Sequence, residues 1–271
     1  MIRDITIGQY YPAKSVLHRL DPRVKLVGTL LYLISLFLFN SIPGYVMTTL
    51  FLIIIIKMSR VPFSFIVRGL KPVIMLLMIT VLFNLFLTRD GAVLFHAWIF
   101  TITEGGLRTA VYMAIRLIYL IIGSSLMTFT TTPNELTDGI EELLGPLNKI
   151  HVPVHEIAMI MSIALRFIPI LLEETDKIMK AQIARGADLE SGNMIQKAKS
   201  MIPILVPLFV SAFRRANDLA MAMEARCYRG GEGRTKMKYH KEDRMAYITV
   251  IAYVILVVVI GRCVPVHIWV F

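Results

Sequence analysis

The longest stretch of this chain without a charged side chain covers residues 26–56. Such a stretch is typical of membrane-spanning segments, since about 20 apolar residues cross the hydrocarbon core of a bilayer as a helix. Turn-forming residues over 40–44 (NSIPG) interrupt it, which predicts two short membrane helices joined as a hairpin. Asp21 and Pro22 precede the stretch as an N-cap and a first-turn proline, so the first helix is expected to begin there.

Three further apolar segments predict additional spans, at roughly 73–87, 107–129 and 245–261. Arg116 lies inside the second of these, and an intramembrane arginine normally faces protein or water rather than lipid. The chain is 56% hydrophobic, and its mean hydropathy is +0.67. We therefore predict an all-α polytopic membrane protein with about five transmembrane helices.

Basic residues are distributed unevenly between the predicted loops. Residues 1–25 and 57–71 are rich in Lys and Arg, as cytoplasmic segments usually are. This predicts that the N-terminus and residues 132–244 lie in the cytoplasm, and the net charge of +10 then reflects topology rather than nucleic-acid binding. The early basic residues also argue against a cleaved signal peptide. Cys227 and Cys263 would lie on opposite sides of the membrane, so no disulfide is expected.

The chain divides into three regions by composition. Residues 1–131 hold the N-terminal segment and four spans, residues 132–244 form a charged domain, and residues 245–271 hold the last span. The charged domain keeps a helical apolar periodicity, which excludes a linker. It begins with a short helix opened by TPNE at 132–135, and it continues with two long helices at roughly 153–184 and 194–225. Pro203 and Pro207 predict a kink in the second of these two long helices.

The two long helices end on the same pattern, A-x-x-A-R-[G/C], at Arg185 and Arg226. A basic residue followed by a C-cap glycine such as Gly186 is an ordinary helix ending, favoured by the helix macrodipole. Alternatively, an arginine surrounded by small residues could enter an acidic pocket, because its planar fork pairs bidentately with a carboxylate. The recurrence of the pattern strengthens the case for paired docking, and on the residues alone both interpretations stay open. The small residues are Ala181, Ala184, Ala222 and Ala225.

The N-terminal GQYYPAKSVLHRLDPRVKL, the five-span layout and the two Ala-Arg-Gly-like endings resemble the transmembrane T component of energy-coupling factor (ECF) transporters. The resemblance covers nearly the whole chain. It implies that the motifs Ala184-Arg185-Gly186 and Ala225-Arg226-Cys227 end cytoplasmic coupling helices, with each arginine docked on one of two ATPase subunits. Cys227 departs from the family's glycine. Since cysteine disfavours the left-handed cap conformation, the second helix is expected to end differently, at Gly230 or Gly231.

The resemblance also implies a function: coupling ATP hydrolysis by the partners to a substrate-binding S component, in an importer of a vitamin or other micronutrient. Substrate specificity would reside in that S component. Methionines on the long helices could line an adaptable surface for it, because thioethers are flexible and polarizable. Ordinary packing is the alternative. The methionines that we assign to this surface are Met159, Met161, Met221 and Met223.

Other kinds of site are weaker matches. The sequence contains no G-x-x-x-x-G-K-[ST], so we expect neither a P-loop nor a cofactor. His151, His155 and Glu156 do not form H-E-x-x-H, so no metal site is expected. A membrane-embedded enzyme would need polar residues within the spans, where only Arg116 and Asn84 are candidates. A membrane scaffold without ATPase partners is the remaining alternative.

Carboxylates in the first long helix invite a catalytic interpretation. They are Glu173, Glu174 and Asp176, and they lie within one or two turns of Lys177 and Lys180. Opposite charges at this spacing usually pair along the face of a helix. We therefore predict ion pairs within the helix rather than a catalytic site.

Overall fold

The computed structural model describes residues 10–39, 41–87, 93–97, 100–187, 193–230 and 244–263. The chain divides into two compact units. The membrane unit comprises Gly8–Gly139 and His240–Phe271, and the hairpin unit comprises Ile140–Tyr239. The predicted domain boundaries lie after residues 131 and 244, whereas the units change after residues 139 and 239.

The described residues form ten α-helices and one pair of strands. In chain order these are α1 (Val16–Arg19), α2 (Pro22–Leu38), α3 (Ile42–Ser59), α4 (Phe63–Leu70), α5 (Ile74–Leu87), β1 (Val93–Ala97), β2 (Phe100–Thr103), α6 (Glu104–Thr130), α7 (Pro133–Leu144), α8 (Val154–Ala184), α9 (Met194–Ala225) and α10 (Arg244–Cys263). Short 3-10 turns at Lys71–Val73 and Gly145–Ile150 precede α5 and α8. The predicted all-α fold is confirmed.

Helices occupy all five positions that the sequence predicts as spans: α2, α3, α5, α6 and α10. By length and composition alone, four of the described helices are able to cross a bilayer, or five if α4 and α5, which meet at 60°, form one broken span. The four are α3, α6, α8 and α9. The expected number is confirmed as four or five described helices able to cross a bilayer, but the set differs: α8 and α9 qualify although the sequence predicts them in the cytoplasm, whereas α2 and α10 do not qualify. The location of α8 and α9 stays a prediction.

Two connections between predicted spans contain secondary structure. The connection at 88–106 includes β1 and β2, which pair antiparallel with Ala97 opposite Phe100. The basic loop at 57–71 includes α4. Apolar residues of α4 recur at helical spacing over 63–70 (FSFIVRGL), which is a signal that the sequence analysis missed.

Aromatic rings fill the centre of the membrane unit. Phe51 stacks on Tyr253 with ring centroids 3.8 Å apart, and the hydroxyl oxygens of Thr48 and Tyr253 lie 3.2 Å apart. Tyr32 packs against both rings. Gly123 allows α6 to approach, since a Cβ there would overlap the Tyr32 ring. These contacts join α2, α3, α6 and α10 around one core.

The start of α2 and the end of α6 are tied together by a buried lysine. Lys25 Nζ donates to the Thr130 carbonyl oxygen, 2.9 Å away, which satisfies one of the carbonyls that the last turn of α6 leaves free. Asp21 caps α2 by accepting from the first turn at 2.9 Å, so the predicted start of this helix is confirmed. Thr132 and Glu135 exchange backbone-to-side-chain hydrogen bonds of 3.2 Å, which form a capping box for α7.

In the hairpin unit, α8 and α9 begin and end within a residue of the predicted bounds. Pro169 lies inside α8, a feature that the sequence analysis missed, whereas Pro203 and Pro207 lie inside α9 as expected. The kink predicted from them stays a prediction. At the start of α8, His155 Nδ1 lies 2.9 Å from Glu141 Oε1.

Candidate docking site

The end of α8 is a Schellman motif with Arg185 at the C-cap. The Gly186 N–H donates to the Ile183 carbonyl at 2.9 Å, and the Ala187 N–H donates to the Gln182 carbonyl at 3.0 Å. Gly186 adopts a left-handed φ of +87°, which glycine reaches without steric strain. The predicted role of Gly186 as the glycine that ends this helix is confirmed.

The end of α9 repeats the same hydrogen bonds around Arg226. The Cys227 N–H donates to the Glu224 carbonyl at 2.8 Å, and the Tyr228 N–H donates to the Met223 carbonyl at 3.0 Å. Cys227 adopts a left-handed φ of 55°. The expectation that this helix ends differently, at Gly230 or Gly231, is therefore wrong. Closing two carbonyls of the last turn outweighs the steric penalty of about 1–2 kcal/mol for an L-residue in this conformation.

Both arginines are presented to solvent on narrow ends. Arg185 and Arg226 are exposed, and their backbone angles are nearly equal, with φ of −86° and −91°. The alanines one turn before and immediately before each arginine are exposed as well: Ala181, Ala184, Ala222 and Ala225. Because these side chains are short, another surface can approach each helix end closely.

Hydrogen bonds between α8 and α9 show that the two helices are antiparallel. The Glu174 carboxylate on α8 accepts from Ser211 Oγ at 2.5 Å and from Arg215 Nη2 at 2.7 Å on α9. Further along α8, Gln182 Nε2 donates to the carbonyl of Pro203, which lies earlier on α9. The partner of Glu174 is thus on the facing helix, rather than Lys177 or Lys180 as the sequence analysis predicts.

The contact between Gln182 and Pro203 has a specific cause in the backbone of α9. Pro207 has no N–H, so it cannot donate to the Pro203 carbonyl four residues earlier. The Gln182 side chain supplies a donor to that carbonyl at 3.2 Å. Gln182 also gives its own carbonyl to the Schellman motif around Arg185. One residue therefore links the first arginine end to the proline-containing part of α9.

The antiparallel arrangement separates the two arginine ends. Arg185 follows Gln182, which lies beside Pro203, whereas Arg226 is about 35 Å of helix away from Pro203 at a rise of 1.5 Å per residue. The structure therefore presents two similar arginine-bearing helix ends at opposite ends of one helical hairpin.

A shallow groove of about 340 Å³ lies along the hairpin, between the two arginine ends. Its lining includes Glu173, Lys177 and Arg215.

The four methionines of the predicted S-component surface lie near one end of the hairpin. Met159 and Met161 are in the first turns of α8, and Met221 and Met223 are in the last turns of α9. In an antiparallel pair these are the same end, where Arg226 also lies. Met161 and Met221 are 49% and 60% exposed, so both thioethers are available to a partner.

The residues considered above for a metal site or for a membrane-embedded enzyme do not form such sites among the described residues. Within the described ranges, no group of three His, Cys, Asp or Glu side chains is placed to hold a metal ion. Arg116 Nη2 donates to the Phe39 carbonyl at 3.3 Å, at the end of α2, so this arginine faces protein as predicted. Asn84 Nδ2 donates to the Thr80 carbonyl at 2.9 Å.

Comparison with known proteins identifies the family. Residues 13–237 match the family model CbiQ, described as cobalt transport protein. The chain is 57% identical over 258 residues to the energy-coupling factor transporter transmembrane protein EcfT of Clostridium kluyveri, covering 95% of this chain and 96% of the relative. It is 51% identical over 238 residues to EcfT of Bacillus subtilis, covering 88% and 90%. The chain therefore belongs to the EcfT family, the transmembrane proteins of energy-coupling factor transporters.

Proposed function

We propose that the chain couples two ATPase subunits to a substrate-binding S component, in an importer of a vitamin or other micronutrient in a bacterial cell membrane. One ATPase binds at Arg185 and the other at Arg226. The chain itself contributes no catalytic group and holds no cofactor. The names of its relatives support the assembly into an energy-coupling factor transporter.

The observation that carries this proposal is the repetition of one arginine-bearing Schellman motif at the opposite ends of a single hairpin. Two copies of the same ATPase fold need two similar docking points, separated by the width of a subunit. The estimated separation of about 35 Å along α9 fits a pair of small domains side by side. An ordinary helix ending explains one such motif but gives no reason for the matched pair.

The two helices transmit movement because they are joined along their length. When the ATPases close on ATP, their docking grooves approach each other and displace the two arginine ends. The hydrogen bonds of Glu174 with Ser211 and Arg215 prevent α8 and α9 from sliding independently. The hairpin then turns as a body and carries the displacement to the S component.

The methionines near the Arg226 end form the surface that accepts the S component. Their flexible side chains adapt to different apolar partners. Replacing Met159, Met161, Met221 and Met223 with β-branched valine should weaken some S components more than others, while ATPase binding persists. An equal loss for every S component would instead indicate a plain packing role.

Thiol protection tests the docking sites directly. Cys227 is exposed beside Arg226, so in a Cys263→Ser background it reports on the second end. Ala184→Cys, combined with Cys227→Ser, reports on the first. We expect both thiols to react with a maleimide at least about tenfold more slowly when the co-expressed ATPase subunits are bound.

The matched control for this experiment is Ala216→Cys, which is exposed in the middle of α9 and should react at the same rate in both states. Equal rates at positions 184 and 227 with and without the ATPases would contradict the docking proposal.

Membrane topology is tested with the same chemistry. The proposed topology places positions 57 and 184 in the cytoplasm and position 104 outside. A membrane-impermeant maleimide applied to intact cells should therefore label Glu104→Cys but neither Lys57→Cys nor Ala184→Cys. Labelling at 184 from outside would mean that α8 crosses the membrane, and it would exclude cytoplasmic ATPases as the partners of Arg185.

A further inference from the structure

Helix α4 is set at an angle to the membrane helix that follows it. The axes of Phe63–Leu70 and Ile74–Phe86 differ by 60°, and the 3-10 turn Lys71–Val73 joins the two helices. If α5 crosses the bilayer, a helix bent from it by this angle runs obliquely to the membrane plane. In that case α4 leads obliquely from the membrane surface into the span, and its first residue, Phe63, lies nearest the surface.

One side of α4 is packed on the protein. Ile66 is 1% exposed, and the ring centroid of Phe65 lies 5.4 Å from that of Tyr11 and 5.6 Å from that of Phe129. On the same helix, Phe63 and Val67 remain 65% and 45% exposed. These two apolar side chains lie on the side of α4 that does not pack on the protein. At the membrane surface, lipid acyl chains can cover them.

Four exposed cations lie on α4 or within six residues of its ends, in a part of the sequence that has no acidic residue. The sequence contains no Asp or Glu over residues 22–89. Among the described residues, none of the four takes part in an ion pair. Arg68 lies over the Phe65 ring at 5.7 Å, and Arg60 donates to the Lys14 carbonyl at 3.5 Å. The four exposed cations are Lys57, Arg60, Arg68 and Lys71.

We propose that α4 and these four cations form a binding site for anionic phospholipid headgroups. The guanidinium and ammonium groups bind lipid phosphates, while Phe63 and Val67 contact the upper part of the acyl chains. Acidic lipid is the occupant that matches both features, because every such molecule carries an anionic phosphate next to its acyl chains. The site anchors the start of α5 and fixes its depth in the bilayer. The leaflet concerned follows from the proposed topology, which puts α4 on the cytoplasmic side.

Lipid retention by the purified full-length chain tests this site. The chain is exchanged into detergent containing equal amounts of phosphatidylglycerol and phosphatidylcholine, and the bound lipids are counted by native mass spectrometry. The test variant carries Lys57→Gln, Arg60→Gln, Arg68→Gln and Lys71→Gln. The control variant removes four exposed cations of the hairpin unit: Lys177→Gln, Lys180→Gln, Lys199→Gln and Arg214→Gln.

We expect the wild-type chain and the control variant to retain phosphatidylglycerol several-fold over phosphatidylcholine, and the test variant to lose that preference. A further variant with Arg60→Lys and Arg68→Lys keeps the charge and should keep the preference, which separates charge from folding. Equal retention of both lipids by the wild type, or an unchanged preference in the test variant, would overturn the site. Displacement of the lipid by inorganic phosphate or by a soluble acidic peptide would also overturn it.

Depth is measured separately with Phe63→Trp in a chain whose two natural tryptophans are replaced by phenylalanine. In vesicles, brominated phosphatidylglycerol should quench this tryptophan more strongly than brominated phosphatidylcholine. Absence of quenching by either lipid would show that α4 is not in the membrane surface. Neither readout requires ATPases or an S component, so the lipid site and the coupling function succeed or fail independently. The test variant should still copurify with the ATPases.

Discussion

The ends of α8 and α9 have the same backbone hydrogen bonds but different residues at the left-handed position. Gly186 occupies it in one and Cys227 in the other. The arginine stands immediately before this position in both helices, and its φ differs by only 5° between them (−86° against −91°). The Schellman geometry therefore positions the arginine in both helices. Glycine at the left-handed position makes this geometry easier to reach but is not required for it.

The two ends differ in how they are supported. The first is joined to the facing helix through Gln182, which bonds the Pro203 carbonyl. The second lies beside the partly exposed methionines of the proposed S-component surface. We therefore interpret the Arg185 end as the more rigid of the two proposed docking points. In the proposed function, the Arg226 end would combine ATPase docking with S-component binding.

Removing both arginines should have the largest effect. Truncating an arginine that is buried against carboxylates at an interface costs about 2–5 kcal/mol, partly because its partners are left unpaired. Two linked contacts also reinforce each other by bivalency. We expect Arg185→Glu with Arg226→Glu to insert in the membrane but to lose ATPase copurification and ATP-dependent uptake. Normal copurification and uptake would leave both arginines as ordinary helix ends and remove the basis of the comparison.

Reversing the charge of one arginine at a time should give intermediate defects of unequal size. Each leaves one docking point, so the complex should form with reduced affinity. Arg185→Glu should be the more severe, because its end is held by Gln182 and loses a preorganised contact. Titrating the ATPases against each variant in nanodiscs measures the difference, with Lys180→Glu as a control for added negative charge on the same helix. A greater loss for Arg226→Glu would reverse our assignment of the rigid end.

The hydrogen bond of Gln182 should be detectable in a double-mutant cycle. Gln182→Ala removes the donor to the Pro203 carbonyl and should lower the free energy of unfolding by about 0.5–1.5 kcal/mol. In a Pro207→Ala background the restored backbone N–H can bond that carbonyl, so Gln182→Ala should then have a smaller effect. The free energy of unfolding is measured in mixed micelles for the wild type, the two single variants and the double variant. Equal effects in both backgrounds would show that Gln182 does not compensate for the proline.

Exchanging the residues at the left-handed position should have the smallest effects, with opposite signs. Gly186→Ala places a side chain at φ +87° and should destabilise the chain by about 1 kcal/mol. Cys227→Gly removes the steric strain of a side chain in the left-handed conformation. It should stabilise the chain by less than about 1 kcal/mol, because glycine also increases the entropy of the unfolded chain. ATPase affinity should change little in either, since the arginine position is retained. A stabilising Gly186→Ala would contradict the assigned conformation.

Much of the helix layout was predictable from the sequence because helix boundaries depend on local signals. Asp21 and Pro22 begin α2, Thr132 and Glu135 begin α7, and Gly186 ends α8, each through contacts within one turn. The missed helix α4 also carries a local periodic signal. Its burial on Phe129, by contrast, brings together residues more than 60 positions apart, which no local pattern specifies.

The two proposed docking arginines were predictable from a repeated motif, but the contacts that support their helix ends were not. Glu174 has lysines at favourable spacing on its own helix, yet it pairs with Arg215, since the facing helix offers a bidentate guanidinium together with the Ser211 hydroxyl. The same limit applies to Cys227. Intrinsic preference predicted that cysteine would avoid a left-handed φ, and two backbone hydrogen bonds of the cap overrode that preference.

The amino-acid sequence alone determined that the chain is a helical membrane protein, where its long helices begin and end, and that two of them finish on an arginine, because hydrophobic runs, caps and motifs act over a few residues. Tertiary packing decided that those two helices run antiparallel, that their arginines lie at opposite ends, and that Gln182 serves the carbonyl left free by Pro207. These features depend on contacts between distant residues, whose partners are chosen by the geometry of the facing helix.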